Sequence, residues 1–324
     1  MKFKLSILII LLPLFLFPSL ATAQNTGFGL IVRSKYQFVD SQNKRFLPTC
    51  NERHTKKGNA TPRAFGLGIH SFIYEQAYYG TELNLTSKYK VTADSIPVTI
   101  RVDSMYQDTY VAELKGSVRP NVWILPFLNV YGIIGYTAGQ VDPDIRVPYF
   151  YVEVINGTDT ILSQRIDTAF SITDKPVFNG PSFGGGATLA VGFSRFFLIA
   201  DYNYVMSNPL QVDTRLHSHQ LSLKLGILFG NKSKQAKGAL WAGAMYFKND
   251  QYFSGVVDVR DIDKDLEKII GRYVDYSGDV VAYPRQRINF ITGGSWLLNQ
   301  HNNISAEVGI YPRLQAKLSY NYSF

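Results

Sequence analysis

Leu314-Gln315-Ala316-Lys317-Leu318-Ser319-Tyr320-Asn321-Tyr322-Ser323-Phe324, the last eleven residues, alternate without a break. Leu314, Ala316, Leu318, Tyr320, Tyr322 and Phe324 fall on one face of an extended chain, with the polar residues on the other. Apolar residues at period two mark a half-buried strand. An exposed aromatic stripe on a terminal strand invites aggregation of a soluble protein. It is expected of the closing strand of a transmembrane barrel, whose aromatics sit at the membrane interface.

The other end agrees. Lys2 and Lys4 precede an apolar run, Leu5 to Leu20, broken by Pro13 and Pro18, and Ala21-Thr22-Ala23 forms an A-x-A site. This is the pattern of a secretory signal peptide over residues 1–23, giving a barrel domain over 24–324. No cysteine follows the cleavage site to carry a lipid anchor.

Beyond this segment no apolar run reaches the length of a membrane helix. Aromatics make up 14 % of the chain, with 21 Tyr and 21 Phe, as interfacial girdles require. The single cysteine, Cys50, excludes an internal disulfide framework and reads as a bystander in a polar loop. Net charge is +8, or +6 once Lys2 and Lys4 are removed. With no nucleic-acid motif, the partner this charge implies is anionic outer-membrane lipid and lipopolysaccharide.

Alternating segments recur at Gly27–Phe38, Ala64–Tyr74, Ala77–Tyr89, Tyr110–Trp123, Phe127–Ala138, Ser182–Phe193, Phe196–Met206, Leu216–Phe229, Ala239–Lys248, Arg287–Leu298, Asn303–Tyr311 and Leu314–Phe324. They predict an all-β, up-and-down antiparallel transmembrane β-barrel of about 12 strands, with 10–14 compatible. Connections alternate long and short, which places the long loops near 139–180 and 249–286 outside the cell. The first carries a hairpin, Val147–Ile155 with Thr160–Phe170 about Asn156-Gly157. The second predicts a short helix with Asp261, Asp263 and Asp265 in its first turns and Ile262, Leu266, Ile269 and Tyr273 on one face. A polar stretch from the first strand to about Pro62 is expected on the outer side.

The ending Tyr320, Tyr322, Phe324 resembles the C-terminal signal read by the bacterial barrel-assembly machinery. The stretch Arg119-Pro120-Asn121-Val122-Trp123-Ile124-Leu125-Pro126-Phe127-Leu128-Asn129-Val130-Tyr131-Gly132 resembles a strand–turn–strand element of a poorly characterised family of Gram-negative outer-membrane β-barrel proteins. So does Glu307-Val308-Gly309 with Arg313 and Tyr322-Ser323-Phe324. The resemblance covers about a tenth of the chain. It implies a cell outer membrane location and carries no known activity.

The inward faces are predicted to hold Arg33, Lys35, His70, Glu82, Lys88, Glu113, Lys115, Arg119, Asp201, Lys224, Arg287, Glu307 and Lys317. Side chains can largely fill a barrel of this size, so a mutually satisfied lumen with a structural or surface-interaction role is the first reading. A narrow, anion-preferring passive channel is the alternative. Lipid-modifying barrel enzymes pair His and Ser at H-x-S on one strand face. Ser218 lies between His217 and His219 and so points to the opposite face, and His70-Ser71 fails likewise. A dyad assembled across strands stays open. His217 and His219 share a lipid-side face without a third metal ligand. Gly184-Gly185-Gly186 reads as close backbone approach within a strand. No catalytic residue, cofactor or metal is assigned. Oligomeric state, monomer or small oligomer, stays open.

Overall fold

The computed structural model describes residues 30–33, 47–50, 53–54, 57, 59–89, 96–102, 106–142, 145–156, 159–167, 170–172, 175, 177–210, 216–230, 236–258, 275–299 and 301–324. Its strands, in chain order, begin with β1 (Leu30–Val32), β2 (Phe65–Tyr89), β3 (Ile96–Arg101), β4 (Tyr106–Gln107), β5 (Thr109–Leu125) and β6 (Leu128–Asp142). Then come β7 (Ile145–Val147), β8 (Phe150–Asn156), β9 (Asp159–Ile166), β10 (Phe170–Ile172), β11 (Val177–Phe193) and β12 (Phe196–Ser207). The last are β13 (Leu216–Gly230), β14 (Ala236–Asp258), β15 (Asp275–Pro284), β16 (Ile288–Leu297), β17 (Asn302–Tyr311) and β18 (Leu314–Ser323).

Ten strands close an antiparallel ring, in the order β2-β5-β6-β11-β12-β13-β14-β16-β17-β18. The ring shuts where β18 pairs with β2, from Leu314↔Glu75 to Ser323↔Gly66. The tight turns at Pro126-Phe127 and Ser194-Arg195 lie at one end with Phe324, here the lower end; the long connections lie at the upper end. Above the ring β2 exchanges β18 for β15, and β14 exchanges β16 for β15. A sheet β14-β15-β2-β3-β8-β9 therefore rises on one side.

The count is ten rather than about twelve because of the N-terminal end. Glu75-Gln76, expected as a turn, is paired strand: Glu75 registers with Leu314 and Ala112, and Gln76 with Val111. β2 is therefore one strand of 25 residues. The expected first strand also fails to join the ring. Its described part, β1, runs parallel to β11, Leu30↔Val191 to Val32↔Phe193, just past the point where β6 ends its pairing at Leu128↔Leu189. Fusing two strands and losing one moves the described part of the following polar stretch to the lower end, where Thr49 N donates to Ile124 O and Trp123 N to Ala64 O.

The loop hairpin expected around Asn156 forms as β8–β9, with a bulge at Val154/Ile155. The expected helix with Asp261, Asp263, Asp265, Ile262, Leu266, Ile269 and Tyr273 lies outside the described residues.

The ring wall alternates as the sequence pattern requires. Ile69, Val118, Ile134, Leu189, Leu198, Leu221, Leu223, Leu225 and Leu240 all face outward and exposed. Phe65, Phe193, Phe196, Trp296 and Phe324 ring the lower edge, and Tyr136, Tyr202, Tyr246, Phe290 and Tyr311 the upper. A continuous exposed apolar belt far exceeds what a water-soluble surface carries, and with two aromatic rims it matches a bilayer.

Glycines permit close strand approach inside the wall. A Cβ on Gly184 would sit 2.1 Å from Tyr204 O, and one on Gly186 2.4 Å from Tyr202 O and 2.6 Å from the Tyr131 ring. Gly186→Val is therefore expected to destabilise the barrel by about 1–3 kcal/mol through overpacking, measurable as a lower urea midpoint in lipid vesicles.

Candidate functional site

The lumen is filled in layers. At the lower end Ile31, fully buried, packs with Ala60, Phe197, Leu228, Ala236, Ala239 and Leu297. β1 is pinned there by Ile31 N to Ala60 O and Ala60 N to Ile31 O, both 3.1 Å. Burying an isoleucine contributes about 2–3 kcal/mol, so this is an apolar seal. Ile31→Asp is expected to release the segment. Trypsin should then cut at Arg53, Lys57 or Arg63 faster than in the wild type, with the ring still protected from amide exchange.

Above the seal lies a polar layer around a cavity of about 230 Å³. Lys224 pairs with Glu307 at 2.5 Å, with 12 % and 3 % of their side chains exposed, and Trp241 Nε1 donates to the same carboxylate at 3.1 Å. Asp201 accepts from Tyr131 at 2.9 Å and Thr188 at 2.6 Å. The Arg119 guanidinium lies 5.5 Å over the Tyr131 ring. Lys317 also lines this cavity.

The upper layer is aromatic and cationic. Phe72, Tyr74 and Phe247 form one cluster. Tyr74 donates to Glu113, whose other oxygen meets Lys115 at 2.9 Å. Asn249 donates to the Tyr74 and Tyr78 hydroxyls. Arg313, 1 % exposed, lies 4.4 Å over Phe247 and donates to Gln315 at 2.8 Å, Gln76 at 3.1 Å and Met245 Sδ at 3.2 Å. Asn289 clamps its backbone, donating to Arg313 O at 3.0 Å and accepting from Arg313 N at 3.3 Å.

Eight of the residues expected to line the lumen are in these layers: His70, Glu113, Lys115, Arg119, Asp201, Lys224, Glu307 and Lys317. Arg33 is not; it is exposed at the lower end beside β1, its N–H donating to Asn59 Oδ1. Lys35 lies outside the described residues. Glu82 and Lys88 belong to the part of β2 above the ring. Arg287 precedes β16 on the inward parity, half-buried, its carbonyl accepting from Phe247 N. Tyr320, Tyr322 and Phe324 stand on the outer face of β18, Tyr322 stacked on His301 with centroids 5.5 Å apart.

Sequence reading missed Arg313 as a lumen residue, because nothing in the short outer turn Pro312-Arg313 announces that it folds inward. It also missed the seal formed by Ile31. The cross-strand dyad left open does occur as a contact: Ser319 Oγ and His70 Nδ1 are 2.8 Å apart, at register Ser319↔His70. Ser319 is 4 % exposed, and its partner His70 lines the cavity. Ser218 is buried inward while His217 and His219 face outward, bonded to Tyr204 at 2.5 Å and Tyr202 at 3.0 Å.

No protein-family model matches the chain, and no curated protein does. Among solved structures it is similar to the transport unit of the autotransporter AIDA-I from Escherichia coli, at 13 % identity over 86 % of this chain and 94 % of that one, TM-score 0.31. It is similar to the beta domain of the Bordetella autotransporter BrkA, at 12 % identity over 81 % and 100 %, TM-score 0.30. The toluene transporter TodX of P. putida matches at 9 % identity over 81 % and 90 %, TM-score 0.29.

Proposed function

We propose that this protein is an integral outer-membrane barrel, non-enzymatic, whose filled lumen serves as a rigid scaffold for its upper loops. The layered side chains between Ile31 and Arg313 carry this reading: apolar packing below and the Arg313 cluster above bracket a polar layer of paired side chains. In this reading the lower end faces the periplasm, the belt meets lipid and lipopolysaccharide, and Tyr320, Tyr322 and Phe324 engage the assembly machinery. Loops on a rigid scaffold are where binding function concentrates. Purified protein in planar bilayers is expected to give no stepwise conductance, and stable steps in the wild type would overturn the scaffold reading. A serine-directed fluorophosphonate should leave Ser319 unlabelled; labelling would restore an enzymatic role.

A second reading, a narrow anion pathway, draws support from the basic excess around the cavity. It requires the upper layer around Arg313 to move, since the cavity already reaches His301 and Asn302 at the lower rim. Conductance that appears only when Arg313 is replaced by alanine belongs to the scaffold reading; anion-selective conductance in the wild type belongs to the second.

A further inference from the structure

We infer that the cavity inside the barrel is a binding site for one small oxyanion, of the phosphate or carboxylate class. Arg119, Lys224 and Lys317 put three positive charges around it, against two carboxylates, Asp201 and Glu307, an excess of one. Asp201 is held by the Tyr131 and Thr188 hydroxyls, and Glu307 through Oε2 alone, its Oε1 buried without a hydrogen-bond partner. The sheet registers Lys317 directly across from Glu307, yet Glu307 Oε2 is held by Lys224 and Trp241. Among the described residues no carboxylate then lies within ion-pair distance of Lys317. Arg119 Nε is buried with no hydrogen-bond partner.

Buried charge without a counter-charge is costly, and a fold retains it where something compensates. The space beside these two cations is about 230 Å³, enough for a hydrated oxyanion, and Asn303 and Asn321 line it as further amides. The same cavity reaches His301 and Asn302 at the lower rim, beside the apolar seal, which gives a way in. Arg119 and Lys317 also line a second, smaller space above it that Phe72 and Phe247 border. The site is entered from the lower rim, and it stands whether or not the barrel conducts. Lipid headgroups outside the ring do not reach it.

Inorganic phosphate titrated into the purified barrel in detergent, followed by calorimetry, is expected to show one saturable site. Lys317→Met and Arg119→Met should each weaken it about tenfold, the loss of one charge-assisted hydrogen bond. Acetate titrated in parallel separates carboxylate from phosphate preference, and saturable binding of either supports the site. Circular dichroism of each variant checks that the barrel is intact. His217→Ala/His219→Ala, on the outer face, should bind as the wild type does. Absence of saturable binding of both anions would falsify the inference. So would binding that survives both cation substitutions in folded protein, or binding lost in the outer-face variant.

Discussion

Glu307→Leu is expected to destabilise the barrel by about 3–5 kcal/mol, the cost of leaving a buried charge without its partner. The carboxylate is the only ion-pair partner of Lys224 among the described residues and accepts the Trp241 indole N–H. Removing it leaves Arg119, Lys224 and Lys317 facing Asp201 alone, and Asp201 is already turned toward Tyr131 and Thr188. Adding Lys224→Met to Glu307→Leu should recover most of the loss, because a buried pair replaced as a pair by apolar groups is close to neutral. Urea unfolding of the three variants in lipid vesicles supplies the double-mutant cycle. If Glu307→Leu matches the wild type, the layer does not hold the wall together.

Arg313→Ala should have the second large effect, about 3 kcal/mol or more. Truncation strips donors from Gln76, Gln315 and the Met245 sulfur, and removes the cation lying over Phe247. Arg313→Lys should rescue little, since an ammonium cannot match the planar fork that reaches both amides. Heat-modifiable migration on gels reads the stability. In a Cys50→Ser background, a hydrophilic thiol reagent reading Met245→Cys, with Arg313 present or absent, reads the opening of the upper seal: fast labelling is expected only without the arginine.

Much of this architecture was legible in the sequence, because period two reports which side of a wall a residue faces. Leu221, Leu223 and Leu225 declare the lipid side of β13, and Lys224 between them declares the lumen. The terminal alternation gave β18 its span and parity. What period two does not report is whether a strand enters the ring. Gly27–Phe38 alternates as well as its neighbours, yet β1 adds in parallel at an edge that β6 has vacated. Glu75-Gln76 looked like a polar turn because Gln76 is an interior amide, committed to Arg313 and to Gln286 O. Pairing inside the lumen was likewise hidden. Glu307 could have met Lys317 by register, and its choice of Lys224 depends on the opposite wall.

The long second strand has a consequence for assembly. β2 is gripped on one side by β18 over its lower half and by β15 over its upper half, with a register shift between Val280 and Ala282. A slip of one residue would exchange lipid-facing and interior side chains. At this junction a slip along β18 would have to be matched by one along β15, across an irregularity that does not translate. The first and last parts of the chain therefore meet at a keyed seam, and the cylinder can be zipped shut in only one alignment.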